Sequence, residues 1–291
     1  MRPRNRTELL AHIEAHPVEG SLASKRRAFA ARLAAPEGLG EAHTFAGNRG
    51  LLFRAGEPDT STQAAPIRTV FLHGGGYVLG SPRTHAVLAQ TLADALGEPV
   101  FSASYPAAPE HPWPAQRDAV LGLLDAAPEP LALVGGSAGG HLALVCALAR
   151  PGKVSVLALF SPNTDRMGRS DTRAANTPLD AMNSDAGDRA FWELAAPDVA
   201  DGDPEASPLL ADLSQLPPTL LSATEGEVLL GDTLLLARAL QEAGVEHAVR
   251  VAPYATAGMH MFESWPDALP EGQRAVEAAA EWVAEWVAGH L

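Results

Sequence analysis

The chain of 291 residues has one cysteine, Cys146, so no disulfide can form within it, and a reducing setting fits that count. Long apolar runs are missing too. No stretch approaches the ~20 residues a membrane helix needs, and residues 1–20 are charged and amphipathic without the continuous apolar core of a signal peptide. A soluble, cytoplasmic protein with no membrane span is expected. Cations are scarce: 21 Lys plus Arg against 35 Asp plus Glu give a formal charge of −14, which repels phosphate backbones and anionic bilayers and argues against nucleic acid as a partner. No G-x-G-x-x-G occurs, and no Lys-Ser or Lys-Thr pair closes a glycine loop, so the phosphate-cradling motifs are absent.

What is present is a chain with 46% hydrophobic residues, enough for the core of one large α/β domain. Helical periodicity covers residues 7–16 and 21–33, and two short strands at 42–46 and 51–54 flank Gly47-Asn48-Arg49-Gly50, a hairpin signal. Residues 57–66 read as a loop. Strands are then predicted at 67–72, 100–105, 131–134, 154–160, 219–223 and 248–252, separated or followed by helices at 83–96, 116–126, 141–150, 229–243 and 271–289. This alternation argues for a mostly parallel sheet covered by helices on both faces, preceded by an antiparallel hairpin. A polar interlude, 161–207, contains a predicted helix at 180–194 and no convincing strand. With the N-terminal helices it is expected to cap the sheet, dividing the chain into 1–45, a core of 46–160 and 208–291, and the insertion 161–207.

The chemistry centres on Gly135-Gly136-Ser137-Ala138-Gly139-Gly140, between an apolar strand and a helix. G-x-S-x-G at a sharp strand-to-helix turn exposes a serine hydroxyl on a strained backbone, and small residues on either side of the serine let strand and helix approach. A second glycine turn lies upstream, where the strand ending at residue 72 runs into His73-Gly74-Gly75-Gly76-Tyr77. Glycines at a strand end let N–H groups face a developing oxyanion. Gly75, Gly76 and Ala138 are the expected donors, with the His73 ring bracing the loop.

A serine nucleophile needs a base, and the base needs an orienting carboxylate. His260, on the loop between the last predicted strand and the last helix, is the best-placed histidine. Glu227 follows the strand at 219–223 and is preferred over Glu225, over Asp232 within the next helix and over Asp165 after the preceding strand. The order is then Ser137, Glu227, His260.

These motifs resemble the hormone-sensitive-lipase-like carboxylesterases of the α/β-hydrolase superfamily. The likeness runs from about His73 onward and includes Ala108-Pro109-Glu110-His111-Pro112-Trp113-Pro114-Ala115, Ser161-Pro162, Ala206-Ser207-Pro208-Leu209, Leu216-Pro217-Pro218 and Glu227-Val228-Leu229-Leu230. The resemblance implies an α/β-hydrolase fold with a helical cap, a serine esterase that needs no metal or cofactor, and often a homodimer. Two departures stand out: Gly136 replaces the family's Asp and Pro106 its Arg, an anion and a cation absent together, expected to have supported each other beneath the elbow. The expected activity is hydrolysis of short- to medium-chain acyl esters through an acyl-enzyme, on a small neutral ester. Tyr77, Phe191 and Trp192 are candidate pocket residues. An amidase, lactonase or deacetylase with the same triad, or a non-catalytic ligand-binding protein on the same fold, are the alternatives.

Overall fold

The computed structural model describes residues 2–56 and 65–288. Two helices come first, α1 (Arg6–Glu14) and α2 (Leu22–Arg32), each opened by a side chain that accepts a backbone N–H: Asn5 from Glu8 and Ser21 from Ser24. The strands β1 (Glu41–Phe45) and β2 (Asn48–Phe53) pair antiparallel, with Phe45 opposite Asn48. The hairpin turn is therefore Ala46-Gly47, both at positive φ, one position before the turn predicted from Gly47 to Gly50. The expected loop at 57–66 lies, over 57–64, outside the described residues.

Alternation then begins: β3 (Thr69–Leu72), α3 (Ala86–Leu96), β4 (Val100–Ala103), α4 (Ala115–Ala126), β5 (Leu131–Gly136), α5 (Ala138–Ala149) and β6 (Val154–Phe160). Two helices, α6 (Thr172–Ala175) and α7 (Asp185–Ala195), occupy the interlude; α7 starts where Ser184 accepts the Gly187 N–H, five residues later than the periodicity suggests. The chain closes with β7 (Thr219–Thr224), α8 (Leu230–Glu242), β8 (His247–Ala252) and α9 (Pro270–Ala288).

The eight strands lie in the order β1-β2-β4-β3-β5-β6-β7-β8. Pairs β1–β2 and β2–β4 are antiparallel, and all later pairs are parallel. β5 is thus central, and every one of its residues is buried. One face packs Leu133, Leu142, Val145, Leu124, Leu236 and Leu240 from β5, α4, α5 and α8. The other packs Phe71, Val134, Leu92, Val276 and Val283 with α3 and α9. α5 begins three residues earlier than predicted, directly after Ser137. Its glycines, poor helix formers in isolation, are the residues that let it press against the sheet.

The N-terminal helices are not peripheral. Leu9, Ile13 and Leu33 pack on Met259, Phe262 and Trp265, the apolar residues around His260. Among the described residues, no helix is long and apolar enough to cross a membrane.

Candidate active site

Ser137 follows the last residue of β5 and precedes the first of α5, at φ 55 and ψ −119. Such a backbone costs of order 1–3 kcal/mol for a residue with a side chain and persists because its surroundings fix it. Here the Ser137 N–H donates to the Phe160 carbonyl of β6 at 2.8 Å. A Cβ at Gly139 would run into the Leu72 carbonyl oxygen, and one at Gly135 into that of Gly139. The motif's flanking glycines are required because β3, β5 and α5 touch backbone to backbone.

The His260 ring spans the next two contacts. Nε2 lies 2.8 Å from the Ser137 Oγ and Nδ1 lies 3.3 Å from Glu227 Oε2, which also accepts the Ser161 hydroxyl at 2.6 Å. Glu227 is fully buried, Ser137 and His260 nearly so. Burial disfavours the His260 cation, but the hydrogen bond and charge of Glu227, with Asp180 and Asp188 behind them, outweigh it and raise the pKa above its ordinary value. Burial likewise pushes Glu227 upward, against the hydrogen bonds from His260 and Ser161. The competing acids are engaged elsewhere: Asp232 with Arg173 at 2.7 Å, Asp165 with Arg169 at 2.9 Å, and Glu225 with the Tyr254 N–H.

The loop after β3 faces Ser137. Gly75 and Gly76 have φ 120 and 60, and the Gly75 carbonyl takes the N–H groups of Val78 and Leu79, folding the loop back on itself. The N–H groups of Gly75, Gly76 and Ala138 donate to no protein acceptor among the described residues. His73 stacks on Tyr105 with centroids 4.1 Å apart and hydrogen-bonds the Gly74 carbonyl; burial holds its pKa down to about 4, so the ring is a neutral brace.

A cavity of about 350 Å³ opens on Ser137 and His260. Its walls include residues from 17–33 and 177–191, so α2 with the residues flanking it, and the interlude, cover it. Phe191 of α7 lines it and packs against Gly76. The other two candidate pocket residues need correction. Tyr77 and Trp192 are absent from the cavity wall; they are buried with Trp113 and His141 in an aromatic cluster beneath the loop, and the Arg166 guanidinium lies 4.2 Å from the Trp192 ring centroid. A bulky aromatic beside a motif reads equally well as lining or as support, and here it is support.

Two further features have no local signal in sequence. Asp180 accepts four backbone N–H groups, from Met182 and Asn183 of its own turn, from Val228 beside Glu227, and from His260 itself. One side chain of the interlude thus ties together the loops carrying acid and base. The second concerns Gly136. A side chain there would meet the thioether of Met261, which is buried, has φ 58 and lines the cavity. The space beside residue 136 is thus filled from the histidine loop. Cys146 is buried on α5 and its thiol is pushed up by burial, the signature of an inert packing residue.

Comparison with known proteins agrees with the fold. The family model described as alpha/beta hydrolase fold matches residues 69–262, and the chain belongs to that family. Within it the chain sits among bacterial hormone-sensitive-lipase-type esterases and is a carboxylic ester hydrolase. It is 31% identical over 230 residues to an esterase of Acinetobacter venetianus, covering 75% of each chain. To an acetyl-hydrolase of Streptomyces hygroscopicus it is 33% identical over 230 residues, covering 72% of this chain and 73% of that one. A crystal structure of an esterase from the bacterial hormone-sensitive lipase family matches with a TM-score of 0.85 at 27% identity, covering 97% of both chains.

Proposed function

We propose that the chain is a serine carboxylesterase that works through an acyl-enzyme on short- to medium-chain acyl esters, with residues 1–45 and 161–207 acting as its cap. The observation that carries this reading is the 2.8 Å contact between Ser137 Oγ and His260 Nε2, with Nδ1 of the same ring on Glu227. In the first half-reaction Ser137 Oγ bonds the acyl carbon while its proton passes to His260 Nε2. Glu227 accepts the Nδ1–H, fixing the tautomer and stabilising the imidazolium. The oxyanion is held by the N–H groups of Gly75, Gly76 and Ala138. Its collapse expels the alcohol, which takes the proton from His260. Water then repeats the sequence at the acyl-serine carbonyl and frees the acid. Losing one oxyanion donor costs about 3–4 kcal/mol of transition-state stabilisation. The roofed cavity of about 350 Å³ supports a small acyl group.

The test is release of nitrophenol from acetyl, butyryl, octanoyl and longer esters by the native chain and by Ser137→Ala. The expected result is a short- to medium-chain optimum and a fall of at least about 10³-fold in the variant, since removing a triad nucleophile can cost about 10⁶-fold in kcat. Folded native protein that cleaves none of them would point to a ligand-binding role instead.

A further inference from the structure

The cavity holds a buried cation, unpaired among the described residues, that the proposed triad does not use. Arg32 ends α2, is 8% exposed, and lines the same cavity as Ser137 and His260. Its Nε donates to the His16 carbonyl at 2.6 Å and its Nη1 lies 3.8 Å from the Met182 sulfur. Nη2 donates to no described protein group, and no carboxylate among the described residues pairs with the guanidinium. Burial lowers its pKa. The contrast is with Arg166 and Arg173, equally buried, which lie 3.2 and 2.8 Å from Asp188. A buried guanidinium is ordinarily paired, since desolvating a lone charge is expensive.

The remaining charges on the cavity wall do not cancel it. The Asp180 carboxylate keeps its charge, but both of its oxygens are occupied by backbone N–H groups, and Asp188 lies against two arginines, so neither pairs with Arg32. Glu19 is at the exposed rim. Lys25, also on the wall, places its ammonium 5.6 Å from the Phe191 ring centroid and makes no ion pair among the described residues. Behind Glu19 at the rim, the charged groups with donors left open to a ligand are therefore the cations Arg32 and Lys25, although the whole chain carries −14. At short range in a partly desolvated site such local charges outweigh the screened field of a distant surface.

Resting on the esterase reading, we propose that the cavity selects esters that carry a second, ionised carboxylate, bound by the Arg32 guanidinium with Lys25 adding positive charge. This replaces the neutral substrate expected from net charge with an anionic one. An arginine fork suits the planar, two-oxygen acceptor better than a lysine would. The carboxylate can belong to the acyl part, as in a dicarboxylic acid monoester, or to the alcohol part, and two substrate pairs separate these cases.

The experiment measures kcat/KM by acid release at pH 7.5 for monoethyl glutarate against ethyl pentanoate, and for 4-acetoxybutanoate against butyl acetate. Native protein is expected to favour the anionic member of one pair at least tenfold, with the preference shrinking as salt is added. Arg32→Met is expected to lower that ratio about 10- to 100-fold, the worth of a hydrogen bond to a charged group, and Arg32→Lys to keep part of it. Neutral esters cleaved with no anionic preference in either pair overturn this inference alone, whether or not the Met variant folds. Arg32→Met slowing both members of the favoured pair equally also overturns it, because Arg32 would then only brace the cap. No turnover of any of the four overturns the esterase reading, and this inference with it.

Discussion

In the interlude between β6 and β7, Asp188 lies between two guanidiniums and accepts the Asn163 amide at 2.6 Å, whereas behind the triad Glu227 and Glu263 have hydroxyls and a single imidazole for company. Glu263 is fully buried three residues after His260, takes the Ser222 hydroxyl at 2.7 Å, and leaves Oε2 without a protein partner, as Glu227 leaves Oε1. Burial would raise the Asp188 pKa, but Arg166 and Arg173 outweigh it and hold that carboxyl well below its usual range. For Glu263, burial and the charge of Glu227 push the other way, up to about 8, against the Ser222 hydrogen bond. The interlude is fastened by paired charges. The far side of Glu227 and His260 is kept nearly free of cations, and that suits the proposed mechanism: an arginine on Glu227 would compete with His260 for its charge.

The largest effect that would sharpen this contrast is on rate. Glu227→Gln keeps an acceptor for the Ser161 hydroxyl but removes the anion and allows the wrong His260 tautomer. It is expected to lower kcat by about 10³- to 10⁴-fold with little loss of stability. A loss below tenfold in ester hydrolysis would mean that the charge behind His260 is dispensable.

Removing a cation from the interlude should show in stability instead. Arg173→Met leaves Asp232 and Asp188 each short of a guanidinium, and breaking a buried pair from one side costs about 3–5 kcal/mol. Urea unfolding at pH 7 measures it. Because Asp188 is held below its unfolded value, its pairing stabilises the fold above about pH 3.9 and is lost as pH falls below that value. The variant's deficit should therefore shrink in acid, and a deficit independent of pH would break the assignment.

Glu263 predicts the opposite slope. Unfolded, it loses its proton near pH 4.3; folded, it keeps it to about 8, so the native state loses stability as pH rises through that window, by up to about 1.4 kcal/mol per unit. Glu263→Gln, uncharged at every pH, should remove this contribution and gain stability relative to the native chain from pH 5 to 8. Parallel stability curves would show that Glu263 is ionised in the folded protein.

How much of this is legible in the sequence follows from the range of the contacts. The strands, the two glycine turns and the order of serine, acid and histidine are local patterns, and the structure brings Ser137, Glu227 and His260 within hydrogen-bond reach. The start of α5 is not legible, because Gly139 and Gly140 are weak helix formers and packing against β3 and β5 overrides that preference. Tyr77 and Trp192 read as pocket residues only because proximity in sequence says nothing of which way a ring points. Asp180 reaches His260 across 80 residues and Gly136 meets Met261 across the sheet top. Neither leaves a local trace. Glu263 does leave one: an acid within Met259-His260-Met261-Phe262-Glu263-Ser264-Trp265 is a charge in an apolar run, and such a residue is buried at a cost or used.

The smallest effect concerns the charge missing from the elbow. If Gly136 and Pro106 stand for a lost Asp–Arg pair, the cost of Gly136→Asp should be relieved by adding Pro106→Arg. The structure names a different partner, since the space a side chain at 136 would need is filled by the Met261 thioether. Gly136→Ala is then an overpacking change, and because the obstacle is the end of a flexible side chain its cost should lie near the bottom of the usual range, about 1 kcal/mol. Met261→Gly empties that space and suits the left-handed backbone at 261, though it also forfeits buried thioether contacts. In the Met261→Gly background Gly136→Ala should cost nothing or stabilise, a coupling of about 1 kcal/mol in a double-mutant cycle read by urea unfolding. Additive costs, or rescue of Gly136→Asp by Pro106→Arg but not by Met261→Gly, would restore the lost ion pair as the better account of this elbow.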